Sequence, residues 1–310
     1  MGTYLITGGC GFIGSHLADA LIAARHRVRI LDDLSTGRFG NAPRQAEVLV
    51  GSVADVELVG RAMSGIDGCF HLAAVASVQR SNEAWLETHL TNLVGTIAVL
   101  DAARRQRTPV VFASSAAVYG RQPVQPLTED CPPDPLTAYG ADKLGCERHA
   151  RVAGLVHRVP TAGLRFFNVY GPRQDGRSPY SGVISIFAER LSRGAALDVY
   201  GDGQQMRDFV YVGDVVRFLS AAMAAASPEA PVFNVCTGVP TSIVTLAATL
   251  ARLCERPHAV RFYPARAGDI PSSFGCPERA AAALGVRAAV TLADGLKTTL
   301  ASPAAPRKAA

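Results

Sequence analysis

The sequence predicts an α/β protein, a doubly wound parallel sheet with a smaller α/β unit interleaved with it. Three observations carry this. The first half alternates short apolar runs with longer amphipathic stretches, the pattern of strands and crossover helices. Those runs are apolar throughout rather than at every second residue, as strands covered on both faces must be. Gly8, Gly11 and Gly14 stand between the first run and the first helical stretch, where a tight strand-to-helix turn belongs.

In order, Thr3–Thr7 reads as a strand, 15–24 as a helix and 27–31 as a second strand ending at Asp32. Strands follow at 47–50, 69–74, 110–114 and 161–166, with helices at 55–63, 90–105 and 137–157. The helix at 90–105 is strongly amphipathic. Between 121 and 136, five prolines mark an ordered loop leading into the long helix. After Asn168 the character changes, and 170–180 is rich in glycine, proline and arginine. Helices are expected at 183–193, 215–226 and 243–254, and strands at 197–203, 209–212, 232–236 and 260–263. The second unit is therefore interleaved. Residues 1–170 with about 213–240 make the first domain; 171–212 and 241–310 make the second. Residues 301–310 read as a frayed tail.

Composition narrows the function classes. Nearly half of the 310 residues are hydrophobic, enough for a large core. No apolar stretch approaches the ~20 residues of a membrane span, and Met1 leads straight into a strand with no signal peptide, so the cytoplasm is the expected compartment. The seven cysteines are scattered without Cys-x-x-Cys pairs, which argues against disulfides and structural zinc; no metal site is expected. The net charge of +5 comes largely from arginine, with lysine only at 143, 297 and 308. No basic run interleaves with aromatics, so no nucleic-acid partner is expected.

The glycine turn and Asp32 together predict a dinucleotide site of Rossmann type. A Cβ in the turn would block close backbone approach, and the following helix N-terminus offers free N–H groups to a pyrophosphate. Asp32 can bind the ribose hydroxyls of NAD and would repel the 2′-phosphate of NADP; Arg38 nearby would soften that repulsion.

A second constellation carries chemistry. Tyr139 and Lys143 are four apart on the long helix and share a face. A lysine beside a phenol favours the phenolate, which can take a proton from a sugar hydroxyl while hydride leaves the same carbon. Ser115, ending a strand, could hydrogen-bond that hydroxyl.

With these residues the chain resembles the extended short-chain dehydrogenase/reductases, and among them the UDP-hexose 4-epimerases of the UDP-N-acetylglucosamine kind. The likeness extends through Leu164-Arg165-Phe166-Phe167-Asn168-Val169-Tyr170-Gly171-Pro172, Tyr200-Gly201-Asp202-Gly203, Arg207-Asp208-Phe209 and Arg266-Ala267-Gly268-Asp269. It implies that Phe12, Ile13, Ser52, Phe70, Ala73, Ala74 and Asn92 line the NAD site with the glycines, Asp32, Tyr139 and Lys143. It implies further that Asn168, Arg207 and Arg266 meet the diphosphate of a UDP-sugar, with Ser77, Ser115, Val183, Tyr200 and Asp269 also at the substrate. It suggests a homodimer through the helices at 90–105 and 137–157, and an oligosaccharide or exopolysaccharide pathway.

Two departures matter. Ser52 stands where the family usually has an acid facing adenine. Ala116 and Ala117 stand where the 4,6-dehydratases of the superfamily carry an acid pair, and the nearby glutamate of the decarboxylases is absent too. Oxidation at C4 followed by re-reduction is the chemistry left. The alternatives are another sugar-nucleotide enzyme, a dehydratase or net dehydrogenase, and a non-catalytic NAD-binding module. Alignment from Asp269 puts Ser273 where epimerases restricted to non-acetylated sugars carry a tyrosine; a slip of one would put Ser272 there, equally small. The expectation is interconversion of UDP-GlcNAc and UDP-GalNAc.

Overall fold

The computed structural model describes residues 1–175, 182–256, 259–265 and 269–302. The chain runs β1 (Thr3–Thr7), α1 (Phe12–Ala23), β2 (Arg27–Asp32), β3 (Glu47–Val50), α2 (Val56–Ala62), β4 (Gly68–His71), α3 (Val78–Glu83) and α4 (Trp85–His89). A π turn, Leu90–Val94, leads into α5 (Gly95–Ala103). Then come β5 (Val110–Ser115), α6 (Ala138–His157), β6 (Thr161–Phe166), β7 (Asn168–Tyr170), α7 (Val183–Ser192), β8 (Leu197–Tyr200), β9 (Met206–Tyr211) and α8 (Val212–Ala225). The last elements are β10 (Val232–Val235), β11 (Pro240–Ser242), α9 (Ile243–Leu253), β12 (Val260–Tyr263), β13 (Ser272–Ser273), α10 (Glu278–Leu284) and α11 (Leu292–Ala301).

Seven strands form one parallel sheet in the order β10-β6-β5-β4-β1-β2-β3. The winding reverses between β1 and β4. In such sheets the reversal opens a crevice at the carboxyl ends of the strands, which is where ligands bind. Both faces are covered, as the apolar runs require. Ile6, Phe70, Val111 and Leu164 pack under α1 and α8; Leu5, Cys69, Val110 and Phe112 pack under α2, α5 and α6. Each such side chain, fully buried, contributes about 1.5–3 kcal/mol.

The second unit has its own core, built by β8 and β9 with α7, α9 and α11 around Phe187, Leu197, Val199 and Leu246. Two small sheets complete it: β12 lies parallel to β8, and β9 takes β7, β11 and β13. Ala280 of α10, with Leu284 and Val286, packs into the core of the large sheet rather than into the second unit, although it falls within 241–310. The helix expected at 90–105 starts earlier and is interrupted by the π turn. The seven cysteines are all free. Among the described residues, no helix is long and apolar enough to cross a membrane. The expected tail beyond residue 302 and part of the glycine- and arginine-rich stretch, 176–180, lie outside the described residues.

Candidate active site

A cleft of about 620 Å³ opens where the winding reverses. One wall is the glycine turn. Gly8 holds φ at +71°, and a Cβ there would stand 2.8 Å from the Ala73 backbone nitrogen; at Gly14 it would stand 2.3 Å from the Gly8 carbonyl oxygen. The three segments are in contact through main chain alone, and only glycine permits it. Asp32 closes the turn from β2. Its Oδ2 accepts from the Cys10 N–H at 2.9 Å and its Oδ1 from the Leu34 N–H at 2.9 Å. Burial pushes the carboxyl above its ordinary range, and these two bonds pull it back. Gly8, Gly11, Phe12, Ile13, Gly14 and Asp32 all line the cleft.

Behind this wall lies a network that sequence reasoning missed. The Thr7 hydroxyl accepts from the Leu72 and Ala73 N–H groups at 3.2 Å each, so its own proton points to His71 Nδ1, 2.8 Å away. His71 Nε2 then donates to Thr96 Oγ1 at 3.0 Å, whose proton goes to the Asn92 carbonyl at 2.7 Å. The imidazole must therefore be neutral. Burial, with Lys143 adding to it, pushes its pKa down to about 3. The network fixes the Leu72–Ala73 backbone on which Gly8 rests. A histidine inside an otherwise apolar strand is the sequence signal.

The floor holds the residues expected to carry chemistry. Lys143 is buried on α6 and donates from Nζ to the Ala113 carbonyl of β5 at 2.9 Å. Its ammonium stands 5.8 Å from the centre of the Tyr139 ring. Ser115 ends β5, and its Oγ accepts from the Ala117 N–H at 3.1 Å, leaving the hydroxyl proton to donate elsewhere. Thr137 caps α6 through the Gly140 N–H at 3.1 Å. A Cβ at Gly140 would stand 2.7 Å from the Ala117 carbonyl oxygen, so glycine lets the start of α6 dock on the turn after Ser115. Ser115, Tyr139 and Lys143 face one cleft with Ala116 and Ala117. One turn beyond Lys143, Glu147 takes Ser114 Oγ at 2.5 Å and a two-point ion pair from Arg165, locking α6 to β5 and β6.

The far wall comes from the second unit. Arg207 of β9 reaches Asp269 Oδ1 at 2.6 Å and the Ile270 carbonyl at 2.7 Å. Ser273 pairs in register with Arg207. Asn168, Arg207, Asp269 and Ser273 line the cleft with Ala73 and Ala74, and so does Gln174, which the sequence did not single out.

Six expected residues stand elsewhere. Phe70 lies in the core with its ring 5.7 Å from that of Tyr4, on the face of β4 covered by α1. Ser52 turns its hydroxyl to the Ala54 N–H, while its neighbours Gly51 and Val53 line the cleft. Asn92 acts at one remove, gripping the Val75 N–H and carbonyl at 2.8 and 3.2 Å. Ser77 caps α3 through the Arg80 N–H. Val183 packs at the start of α7, and the Tyr200 ring lies 5.6 Å from that of Tyr263. Arg266 falls outside the described residues.

Residues 4–236 match the NAD dependent epimerase/dehydratase family. The chain belongs to that family. Among curated relatives, a UDP-glucose 4-epimerase of Mycolicibacterium smegmatis is 37% identical over 305 residues, 96% of each chain. Two solved structures superpose with TM-scores of 0.92. One is a UDP-glucose 4-epimerase of Thermotoga maritima with UDP-glucose, 35% identical, covering 96% of this chain and 97% of that one. The other is a UDP-N-acetylglucosamine 4-epimerase of Methanobrevibacter ruminantium in complex with UDP-N-acetylmuramic acid, 31% identical with the same coverage. The cofactor of this family member is NAD. The residues present fit it: a main-chain cradle free of Cβ atoms for a pyrophosphate, and an acid at the end of β2 for ribose hydroxyls.

Proposed function

We propose that the chain is a UDP-sugar 4-epimerase acting on UDP-GlcNAc and UDP-GalNAc, with UDP-glucose and UDP-galactose as poorer substrates. NAD held by the glycine turn and Asp32 would supply a hydride acceptor and donor for C4 of the sugar. The protein does the rest. Tyr139 removes the O4 proton and gives it back, Lys143 holds the phenolate, and Ser115 donates to O4 to orient it. Arg207, with Asn168 and Arg266, anchors the diphosphate while the 4-keto sugar turns over; guanidinium is suited to phosphate by its planar fork. The relatives named above support the reaction class.

One observation carries the choice of sugar. Ser273 lines the cleft next in register to Arg207, whereas Ser272 does not line it. A small side chain beside the phosphate anchor leaves room for a 2-acetamido group, which a tyrosine ring would fill. A second observation opposes dehydration: Ala116 and Ala117 both line the cleft, and neither can shuttle a proton.

Exposed apolar residues support the homodimer. Trp85, Leu86 and Leu90 stand on the segment before α5, and Val152, Leu155 and Val156 on α6. Two copies pairing through these helices would cover them. The cytoplasm suits such a protein and its nucleotide-linked substrate.

The test is a proton NMR spectrum of the purified protein with UDP-GlcNAc and no added NAD. A mixture of gluco and galacto sugars is expected. A 4-keto-6-deoxy product or no turnover would overturn the proposal. Ser273→Tyr should suppress the acetylated reaction and spare UDP-glucose; an unchanged ratio would put the selection elsewhere.

A further inference from the structure

The proline-rich loop after Gly120 is more than a connection. Leu127 donates its N–H to the Phe274 carbonyl at 2.9 Å, and Cys276 donates to the Leu127 carbonyl at 2.8 Å, a short main-chain ladder. The ladder cannot continue through Pro126, which has no N–H. There the side chain of Gln125 takes over. Its Nε2 donates to the Ser272 carbonyl at 3.2 Å, and its Oε1 accepts from the Phe274 N–H at 3.3 Å. A carboxamide presents one donor side and one acceptor side, as a neighbouring strand would. Ser273 lies between the two residues gripped. On its other side β13 pairs with β9, and Met206 donates to the Pro271 carbonyl at 2.8 Å.

We propose that Gln125 is a positioning residue for sugar selection, its carboxamide clamping the main chain on both sides of Ser273 and so fixing the wall of the sugar pocket. This rests on the UDP-sugar reading above. A strand of two residues is compliant alone. Two amide bonds hold it seated against displacement by about tenfold in equilibrium. Without them the wall yields and contact with the sugar is lost, while Arg207, which Gln125 does not touch, still meets the diphosphate.

The test compares the wild type, Gln125→Ala and Gln125→Met, the last of similar length but without the bonds. KM for UDP-GlcNAc should rise about tenfold in both variants, with kcat within about twofold and the affinity for UDP alone unchanged. NAD content and melting temperature report folding. The clamp is overturned if KM is unchanged, if UDP and UDP-GlcNAc weaken equally, or if only kcat falls in step with the folded fraction. A wild type that converts no UDP-sugar overturns the underlying reading, and the clamp with it.

Discussion

The two walls of the cleft are built on opposite principles. The nucleotide wall is local: residues 3–32 supply strand, turn, helix and acid, and Gly8 and Gly14 touch neighbouring main chain with no room for a Cβ. The far wall is stitched from distant segments, 121–127, 206–207 and 269–276, by bonds from Gln125 and Arg207 to the last of these. The first is determined by sterics that tolerate no substitution. The second is held by several replaceable hydrogen bonds, each worth about 0.5–1.5 kcal/mol. A shared floor, Ser115 with Tyr139 and Lys143, serves both.

The largest effect should come from the floor. Tyr139→Phe removes the proposed proton acceptor and should lower turnover by about 10²–10⁴-fold with fold and NAD content intact. Near-normal rates by NMR would mean that the base lies on one of the walls instead.

Next, the walls should differ in tolerance. Gly14→Ala drives a Cβ into the Gly8 carbonyl oxygen at 2.3 Å and should cost about 1–3 kcal/mol together with NAD retention. Ser273→Ala, on the far wall, should stay within about 0.5 kcal/mol and keep its NAD. Urea melts and the nucleotide released on denaturation check both; equal behaviour would erase the distinction.

The nucleotide wall should also be the acid-sensitive one. His71 titrates near 6.5 when unfolded and near 3 when folded, so the unfolded chain binds the extra proton between these values. Stability from this residue is complete above pH 6.5 and falls as pH drops toward 3, by about 2 kcal/mol at pH 5. His71→Gln should flatten that slope. An equally steep slope in the variant would assign the sensitivity to other groups.

The smallest effect concerns cofactor choice. Asp32 should keep the bound nucleotide NAD rather than NADP, and recovery of mainly NADP from the denatured protein would break the assignment of the turn.

What the sequence revealed follows the same division. β1, β3, β6 and β12 stand at the residues their sequence runs predict, and the long helix expected at 137–157 begins one residue later, with Thr137 as its cap. Tyr139 and Lys143 share a face because helical geometry demands it. β7, β11 and β13 were not legible: strands of two or three residues exist only through their partners. α10 is alanine-rich and carries no apolar stripe, so nothing local announces that Ala280 belongs to the large sheet's core. Phe70 points away from the cleft, a matter of which face of β4 the helices cover, and Asn92 reaches it only through the Val75 main chain. His71 was visible as an oddity, but its partners Thr7 and Thr96 are brought to it only by folding.

The bonds that hold Ser272–Phe274 run to its main chain. The side chain at 273 is therefore a passenger on a scaffold that does not depend on it. Such a position can be exchanged with little penalty to folding, while a Cβ at Gly8 or Gly14 in the turn opposite would collide with main chain. On the reading proposed above, a single substitution at this socket changes sugar preference and leaves the cofactor apparatus untouched.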